Sequence, residues 1–298
     1  MKKVVVIVGP TGVGKTKLSV ELAKKLDGEI INADAMQVYR GLDIGTAKVK
    51  EEEKEGISHH LLDIKDVWEE YTIYHYQRDC RKKIDEIFER GHTPILVGGT
   101  GLYIKCALYD YQLIENRIDV SKYDDVSLEE LYQKLIDLDV KANGIIDKNN
   151  RRRVVNALLY YEKNHVSITE NKTDKLLYDA VFIGLTTDRE NLYQRINDRV
   201  DQMINGGLID EVKKYYKDKL LTKPVLNGIG YREVISYLNG DISYEKAIDE
   251  IKKNSRHYAK RQYTFFNHQL PVMWFETNYE DFHQTIEEVI HYIEKIKS

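Results

Sequence analysis

An α/β fold with a parallel sheet and helices on both faces is predicted by three observations. The chain opens on an apolar run, Val4-Val5-Val6-Ile7-Val8, that passes directly into a glycine-rich turn. Further short apolar runs recur at 29–33, 94–97, 180–185 and 272–275, with helix-period segments between them. Such alternation builds a mostly parallel sheet, in which ligands sit beyond the carboxyl ends of the strands. The expected architecture is a parallel-sheet core formed by residues 1–112 and 180–298, with an all-helical insertion at 113–179.

The turn after the first strand reads Gly9-Pro10-Thr11-Gly12-Val13-Gly14-Lys15-Thr16. Strand, glycine-rich turn and helix start together describe a phosphate-binding loop. Its backbone N–H groups would face an anion, Gly12 and Gly14 would allow close approach, and the helix N-terminus would add positive potential. Lys15 would supply a point charge, and the Thr16 hydroxyl would hold a magnesium ion.

Leu18, Leu22 and Leu26 then follow at helical spacing up to Asp27-Gly28. Residues 29–33 form a buried strand ending at Asp34, and Lys50 to Glu55 is a solvated helical face. A short strand is expected within Ile57–Ile64, a helix from Ile73 to Arg90 closed by Gly91, and a strand at Pro94–Val97 running into Gly98-Gly99-Thr100-Gly101.

From Leu113 the pattern changes. Asn116 to Asp125 is polar, Ser127 and Glu130 form a capping box, and Leu128, Leu131, Leu135 and Leu138 mark one helical face. A second helix opens near Asn149-Asn150 with Arg151, Arg152 and Arg153 in its first turns. The sheet resumes at Ala180–Leu185. Thr187 and Glu190 read as another capping box, opening a helix with Arg189, Arg195 and Arg199. A helix from Tyr244 to His268 carries Lys252, Lys253, Arg256, His257, Lys260 and Arg261; a strand at Val272–Phe275 and a helix from Phe282 to Lys297 complete the chain.

Composition bounds the function. With 42% hydrophobic and 32% charged residues over 298 positions, the chain can bury a core and is not a disordered polyelectrolyte. No apolar stretch is long enough to span a membrane, and the first residues enter a strand without a signal-peptide layout, so a cytoplasmic location is expected. Two cysteines, Cys80 and Cys106, make no disulfide framework. His59-His60 lacks a third ligand at metal spacing. The net charge of −4 argues against a general polyanion binder but not against a local basic surface.

Several residues have both a chemical and a structural reading. Asp34 could take a proton from a nucleophile or merely cap the turn that follows. Gly98–Gly101 could present amides and a hydroxyl to a ligand, or supply a tight crossover. Arg195 and Arg199, four apart on one helical face, could clamp a phosphate or pair with Glu190, Asp198 or Asp201. Arg151–Arg153 and Lys252–Arg261 could bind a phosphodiester backbone or be solvated faces.

Taken together, the segments 9–16, 34–48 (Asp-Ala-Met-Gln-Val-Tyr-Arg-Gly-Leu-Asp-Ile-Gly-Thr-Ala-Lys), 59–63, 97–103, 195–199, 230–232 and 259–262 closely resemble the tRNA dimethylallyltransferase family, also called tRNA isopentenyltransferases or IPP transferases. The resemblance spans nearly the whole chain, and 34–48 is its most specific part. It implies a P-loop nucleotide-kinase-like core whose helical insertion helps grip tRNA, and transfer of a dimethylallyl group from dimethylallyl diphosphate to the exocyclic amine of the adenosine 3′ of the anticodon, with release of diphosphate. It implies Asp34 as general base, Thr11–Thr16 on the diphosphate, Thr16 on magnesium, and Arg199 on the leaving pyrophosphate.

Segments similar to tRNA-contacting ones are Asp34, Ala35, Met36 and Gln37; Thr100; Arg152, Arg153, Val154, Val155 and Asn156; Asn227, Gly228, Ile229, Gly230, Tyr231 and Arg232; and Asn254, Ser255, Arg256, His257, Tyr258, Ala259, Lys260 and Arg261. The tRNA anticodon stem-loop is the implied partner, and a monomer is expected. The segment 113–125 departs from the family pattern, so none of Arg117, Lys122 and Tyr123 is assigned the contact usual there. A small-molecule kinase using ATP, a free-adenylate isopentenyltransferase and a non-enzymatic RNA-binding ATP switch are the rival readings.

Overall fold

A computed structural model of the chain describes residues 2–111, 113, 120–171 and 175–297. It divides into two compact units: one formed by Met1–Leu108 with Tyr178–Ser298, the other by Tyr109–Leu177. Arg117 lies outside the described residues.

In the larger unit the first half contains β1 (Lys3–Val8), α1 (Lys15–Leu26), β2 (Gly28–Asn32), α2 (Glu51–Lys54), β3 (His59–His60), α3 (Ile73–Glu89), β4 (Thr93–Val97) and α4 (Gly101–Leu108). The smaller unit holds α5 (Leu128–Leu138) and α6 (Arg151–Asn164), with one short 3₁₀ turn, Val140–Ala142, between them. The larger unit then continues with β5 (Asp179–Thr186), α7 (Arg189–Asn205), α8 (Leu208–Lys217), α9 (Lys223–Asn227), α10 (Tyr231–Leu238), α11 (Tyr244–Gln269), β6 (Met273–Glu276) and α12 (Phe282–Lys297).

The six strands form one parallel sheet in the order β3-β2-β4-β1-β5-β6. β1 is central, and Val4 to Val8 are at most 1% exposed. This is why it reads as an uninterrupted apolar run: a parallel strand covered on both faces has no polar side. Leu18, Leu22 and Ala23 of α1 join the same core as Ile183 and Leu185 of β5 and Val289 and Ile293 of α12. The smaller unit has its own core, built on Leu131, Leu135, Val154, Ala157 and Leu158.

Strand order is a fact the sequence did not supply, and two sequence expectations are corrected. β2 does not neighbour β1, since β4 lies between them, so Asp34 stands two strands from the glycine-rich loop. The strand expected within 57–64 shrinks to His59–His60, because Leu61 and Asp63 take left-handed backbone angles that end pairing. The cap of α7 is Asp188, whose Oδ1 accepts from the amides of Glu190 and Asn191, not Thr187. By contrast, Ser127 and Glu130 do form the expected capping box on α5.

Candidate functional site

The carboxyl ends of β2, β4, β1 and β5, consecutive in the sheet, converge their following loops on one site. After β1, Gly9, Gly12 and Gly14 adopt φ of 141°, 89° and 94°, a region that disfavours side chains. Space is equally restrictive. A Cβ at Gly9 would stand 2.6 Å from the Leu185 carbonyl oxygen, and one at Gly14 would stand 2.5 Å from the Phe282 ring. Thr277 Oγ1 donates to the Val13 carbonyl at 3.1 Å. The loop is therefore held from β5, from the segment after β6 and from α12. Gly14 is the N-cap of α1, which leaves the unpaired amides of the first helical turn beside the loop.

Three charged side chains meet here. Lys15 Nζ donates to the Pro10 carbonyl at 2.6 Å. Burial, then the positive charge of Arg199, destabilises its ammonium, and Asp34 only partly offsets this, so its pKa falls to about 7. Arg199 Nη1 donates to Thr11 Oγ1 at 2.8 Å. Asp34 is anchored by Asn32, whose Oδ1 accepts from the Asp34 amide at 3.0 Å and whose Nδ2 donates to the Asp34 and Leu61 carbonyls at 3.1 Å. Asp34 Oδ1 accepts from the Met36 amide at 2.8 Å, and the Gln37 amide also bonds the carboxylate. Burial pushes the Asp34 carboxyl above its ordinary value, while the Met36 and Gln37 amides, Lys15 and Arg199 pull it back. Asp34 thus caps its turn and faces the two basic side chains, with no direct ion pair to either among the described residues.

The two arginines of α7 have separate tasks. Arg195 Nε donates to the Gly12 carbonyl at 2.9 Å, and its guanidinium lies 3.8 Å from the centre of the Tyr279 ring. It ties the helix to the loop and is engaged with protein on two sides. Arg199, one turn further, is the one that faces Lys15 and Asp34. The alternative of surface ion pairing does not hold: Asp198 accepts from Gln194 and Asp201 pairs with Lys252.

After β4, the glycines serve close approach. A Cβ at Gly98 would lie 2.2 Å from the Ala33 carbonyl oxygen, and one at Gly99 would lie 2.1 Å from Gln262 Nε2. Thr100 Oγ1 accepts from the Ala35 amide at 3.0 Å, so its hydroxyl braces the backbone beside Asp34. The Tyr258 hydroxyl also bonds the Thr100 and Gln262 side chains. Burial, then the Asp34 charge, raises its pKa to about 12.

The remaining sequence-predicted residues divide by exposure. Val154, Tyr231 and Ala259 are 0% exposed, and Gly228 and Gly230 are buried. Their segments hold shape and cannot offer these side chains to a ligand. Glu233, which the motif reading overlooked, joins two of those segments. It accepts from the Gly230 amide at 2.8 Å, from Arg232 Nε at 2.6 Å and from Asn254 Nδ2 at 2.8 Å. Its signal was its place three residues after Gly230. Met36 Cε lies where a Cβ at Gly228 would come within 2.9 Å, so 34–37 packs on 227–232. Asn227 is exposed and Ile229 half-buried.

On α11, Lys252 pairs with Asp201 at 2.7 Å and Arg256 Nη1 donates to Asn197 Oδ1 at 2.6 Å. His257, Lys260 and Arg261 are exposed, Arg261 lying over the Tyr258 ring at 5.5 Å, while Ser255 is half-buried.

In the smaller unit, Arg152 and Arg153 are exposed. Tyr123, Asp124, Arg151, Arg152, Val155 and Asn156 line an open pocket of about 310 Å³. Arg151 donates to the Tyr123 and Asp124 carbonyls and so shapes the pocket wall. Burial works against the Glu162 charge, but hydrogen bonds from Lys122, Tyr123 and Lys134 outweigh it and bring its pKa to about 2. Lys122 and Tyr123 are therefore committed to Glu162.

Among the described residues no group of three or more His, Cys, Asp or Glu side chains could hold a metal. Thr16 is exposed on the first turn of α1 and its Oγ1 has no hydrogen-bond partner among the described residues.

The profile of a family described as IPP transferase matches residues 37–269. A protein of Anoxybacillus flavithermus named tRNA dimethylallyltransferase is 48% identical over 300 residues, covering 98% of this chain and 96% of its own. The crystal structure of the full-length tRNA isopentenylpyrophosphate transferase from Bacillus halodurans superposes with a TM-score of 0.77 at 44% identity, covering 99% and 96% of the two chains. A eukaryotic dimethylallyltransferase solved acting on tRNA superposes with a TM-score of 0.82 at 32% identity, covering 92% of this chain and 74% of that one.

Proposed function

The chain belongs to the IPP transferase family, and from that premise we propose that it moves a dimethylallyl group from dimethylallyl diphosphate to the N6 amine of the adenosine 3′ of the anticodon in tRNA. The observation that carries the reading is the arrangement of Lys15, Arg199 and Asp34. Two cations sit at the glycine-rich loop, and an anchored carboxylate with a raised pKa faces them without an ion pair.

An adenine amine is a weak nucleophile because its lone pair is shared with the ring. Removing its proton as the new C–N bond forms is worth about 10²–10⁴ in rate, and in this reading Asp34 accepts that proton. As the allylic C–O bond breaks, negative charge grows on the departing diphosphate. Arg199, Lys15 and the amides of the loop and of the first turn of α1 offset it, in the manner of an oxyanion site. The loop holds a leaving group and delivers no phosphoryl group. The adenine must leave the anticodon-loop stack, at a cost of a few kcal/mol that phosphate contacts elsewhere offset.

Magnesium fits this site in one mode. Thr16 Oγ1 offers a single uncommitted oxygen ligand, so the rest of the shell would come from diphosphate oxygens and water, as this ion prefers. Bound there, it would neutralise part of the diphosphate charge. His257, Lys260 and Arg261 of α11, and Arg152, Arg153 and Asn156 of α6, are the side chains offered to the RNA backbone and loop.

The test is incubation with prenyl-labelled dimethylallyl diphosphate and unmodified tRNA. Label is expected in tRNA and not in free AMP. Inertness toward the prenyl donor, with transfer of phosphate from ATP to a small molecule, would overturn the reading in favour of a kinase.

A further inference from the structure

Beyond the loop and the base, one buried carboxylate has no part in the chemistry above. Glu211 of α8 is 6% exposed. Its Oε2 accepts from the amides of Asp43 at 3.1 Å and Ile44 at 2.8 Å, and its Oε1 accepts from the Gly45 amide at 3.1 Å and from the Tyr231 hydroxyl at 2.5 Å. Four donors on one buried carboxylate form a charge-assisted cluster in low dielectric, where each bond is strong and each loss costly. The phenol of Tyr231 is pushed far up by burial and by Glu211, so it stays a donor. The fit is tight around it: a Cβ at Gly45 would stand 2.4 Å from the Tyr231 ring.

The amides at 43–45 belong to the segment that begins at Asp34. Gln37 Nε2 donates to the Thr46 carbonyl at 3.0 Å, folding the far end of the segment back on its start. There the Met36 and Gln37 amides hold the Asp34 carboxylate. Hydrogen bonds and the short covalent stretches between them therefore link Glu211 through residues 43–46 and Gln37 to Asp34. Neither the glycine-rich loop nor Arg199 lies on it.

We propose that Glu211 is a positioning residue for prenyl transfer: as an anionic staple on the 43–45 amides, it fixes the segment that aims Asp34 at the incoming base. The inference rests on the tRNA-prenylating reading of the site. Glu211→Gln replaces one oxygen, with two of the four acceptor positions, by an NH2 donor and leaves the other as a weaker, uncharged acceptor. The segment loosens, while the diphosphate cradle, built from other elements, stays in place.

The test uses the full chain as Glu211→Gln and as Tyr231→Phe, with three readouts: hydrogen exchange of peptides covering 34–48 and 1–16, inorganic pyrophosphate affinity, and single-turnover prenylation at saturating tRNA. For Glu211→Gln, faster exchange confined to 34–48, pyrophosphate affinity within about twofold of wild type, and a turnover rate down about ten- to a hundredfold are expected for loss of bonds to a charged group. Tyr231→Phe, which leaves the three amides paired, should lie between this variant and wild type, and carries the test if Glu211→Gln does not fold. Unchanged turnover in the folded variants, or a pyrophosphate affinity that falls in step with turnover, overturns the proposal. A wild-type chain inert toward the prenyl donor would instead refute the functional reading on which it rests.

Discussion

Arg199 and Thr11 are 188 positions apart in sequence and joined by a 2.8 Å hydrogen bond from Nη1 to Oγ1. That bond brings the middle of α7 to the loop between β1 and α1, beside Lys15. One turn earlier, Arg195 is fixed between the Gly12 carbonyl and the Tyr279 ring. One arginine anchors the helix and the other faces the chemistry.

Arg199→Ala should therefore lower single-turnover transfer by about 10²–10³, the loss typical of one charge-stabilising donor, with tRNA affinity nearly unchanged. Tyr279→Ala removes the stacking partner of Arg195, an interaction worth about 0.5–2 kcal/mol, so the rate should fall no more than about thirtyfold. Rapid-quench kinetics on the two variants checks the ranking; equal losses would contradict the separation of tasks.

Asp34→Asn can keep the Met36 amide contact on its carbonyl oxygen but cannot accept a proton. Turnover should fall by about 10²–10⁴, while anticodon stem-loop binding, measured by fluorescence anisotropy, stays within a few-fold of wild type. A normal turnover would remove Asp34 from the role of base.

The pH profile follows from two opposed shifts. Asp34 must be ionised to act. Burial raises its pKa above 3.8, against the pull of Lys15 and Arg199, while Tyr103 and Tyr258 face it as neutral phenols. Turnover is thus lost as pH falls through that raised value. Lys15, with a pKa of about 7, carries its charge below that value and loses it above. The kcat/KM for the prenyl donor should be bell-shaped, with an alkaline limb beginning near pH 7 in the free enzyme. The alkaline limb of kcat should lie higher, because bound diphosphate favours the ammonium. An alkaline limb that persists in Lys15→Arg would assign it to another group.

RNA affinity should fall steeply with salt. Lys260→Ala with Arg261→Ala should reduce the slope of log affinity against log salt by about 0.7 for each single-strand phosphate no longer neutralised. Lys252→Ala should leave the slope unchanged, since Lys252 already pairs with Asp201 at 2.7 Å. Titrations at four salt concentrations suffice to compare them.

Much of this was legible in the chain, for identifiable reasons. The run Val4–Val8 and the glycines after it carry their meaning locally, because a doubly covered strand must be apolar and a loop with φ near 90° favours glycine. Helix spacing likewise marked α1 and α5. Strand order was not legible: nothing in 29–34 or 94–100 says that β4 comes between β2 and β1. Nor could spacing separate Arg195 from Arg199, since their difference depends on Tyr279, far along the chain. Glu211 was not legible either, because only the tertiary fold brings the amides of 43–45 to it. Tyr231 and Ala259, read as RNA contacts from the motifs around them, turned out to be core.

The central claim is that the glycine-rich loop grips a leaving diphosphate while the prenyl carbon goes to RNA. The most direct measurement uses dimethylallyl diphosphate labelled in both the prenyl carbon and the terminal phosphorus, with unmodified tRNA and magnesium, following both labels. Equimolar prenyl carbon on the anticodon-loop adenosine and phosphorus released as intact pyrophosphate is the predicted result. Phosphorus in the RNA or in a phosphorylated metabolite, with the prenyl carbon still on its oxygen, would contradict it.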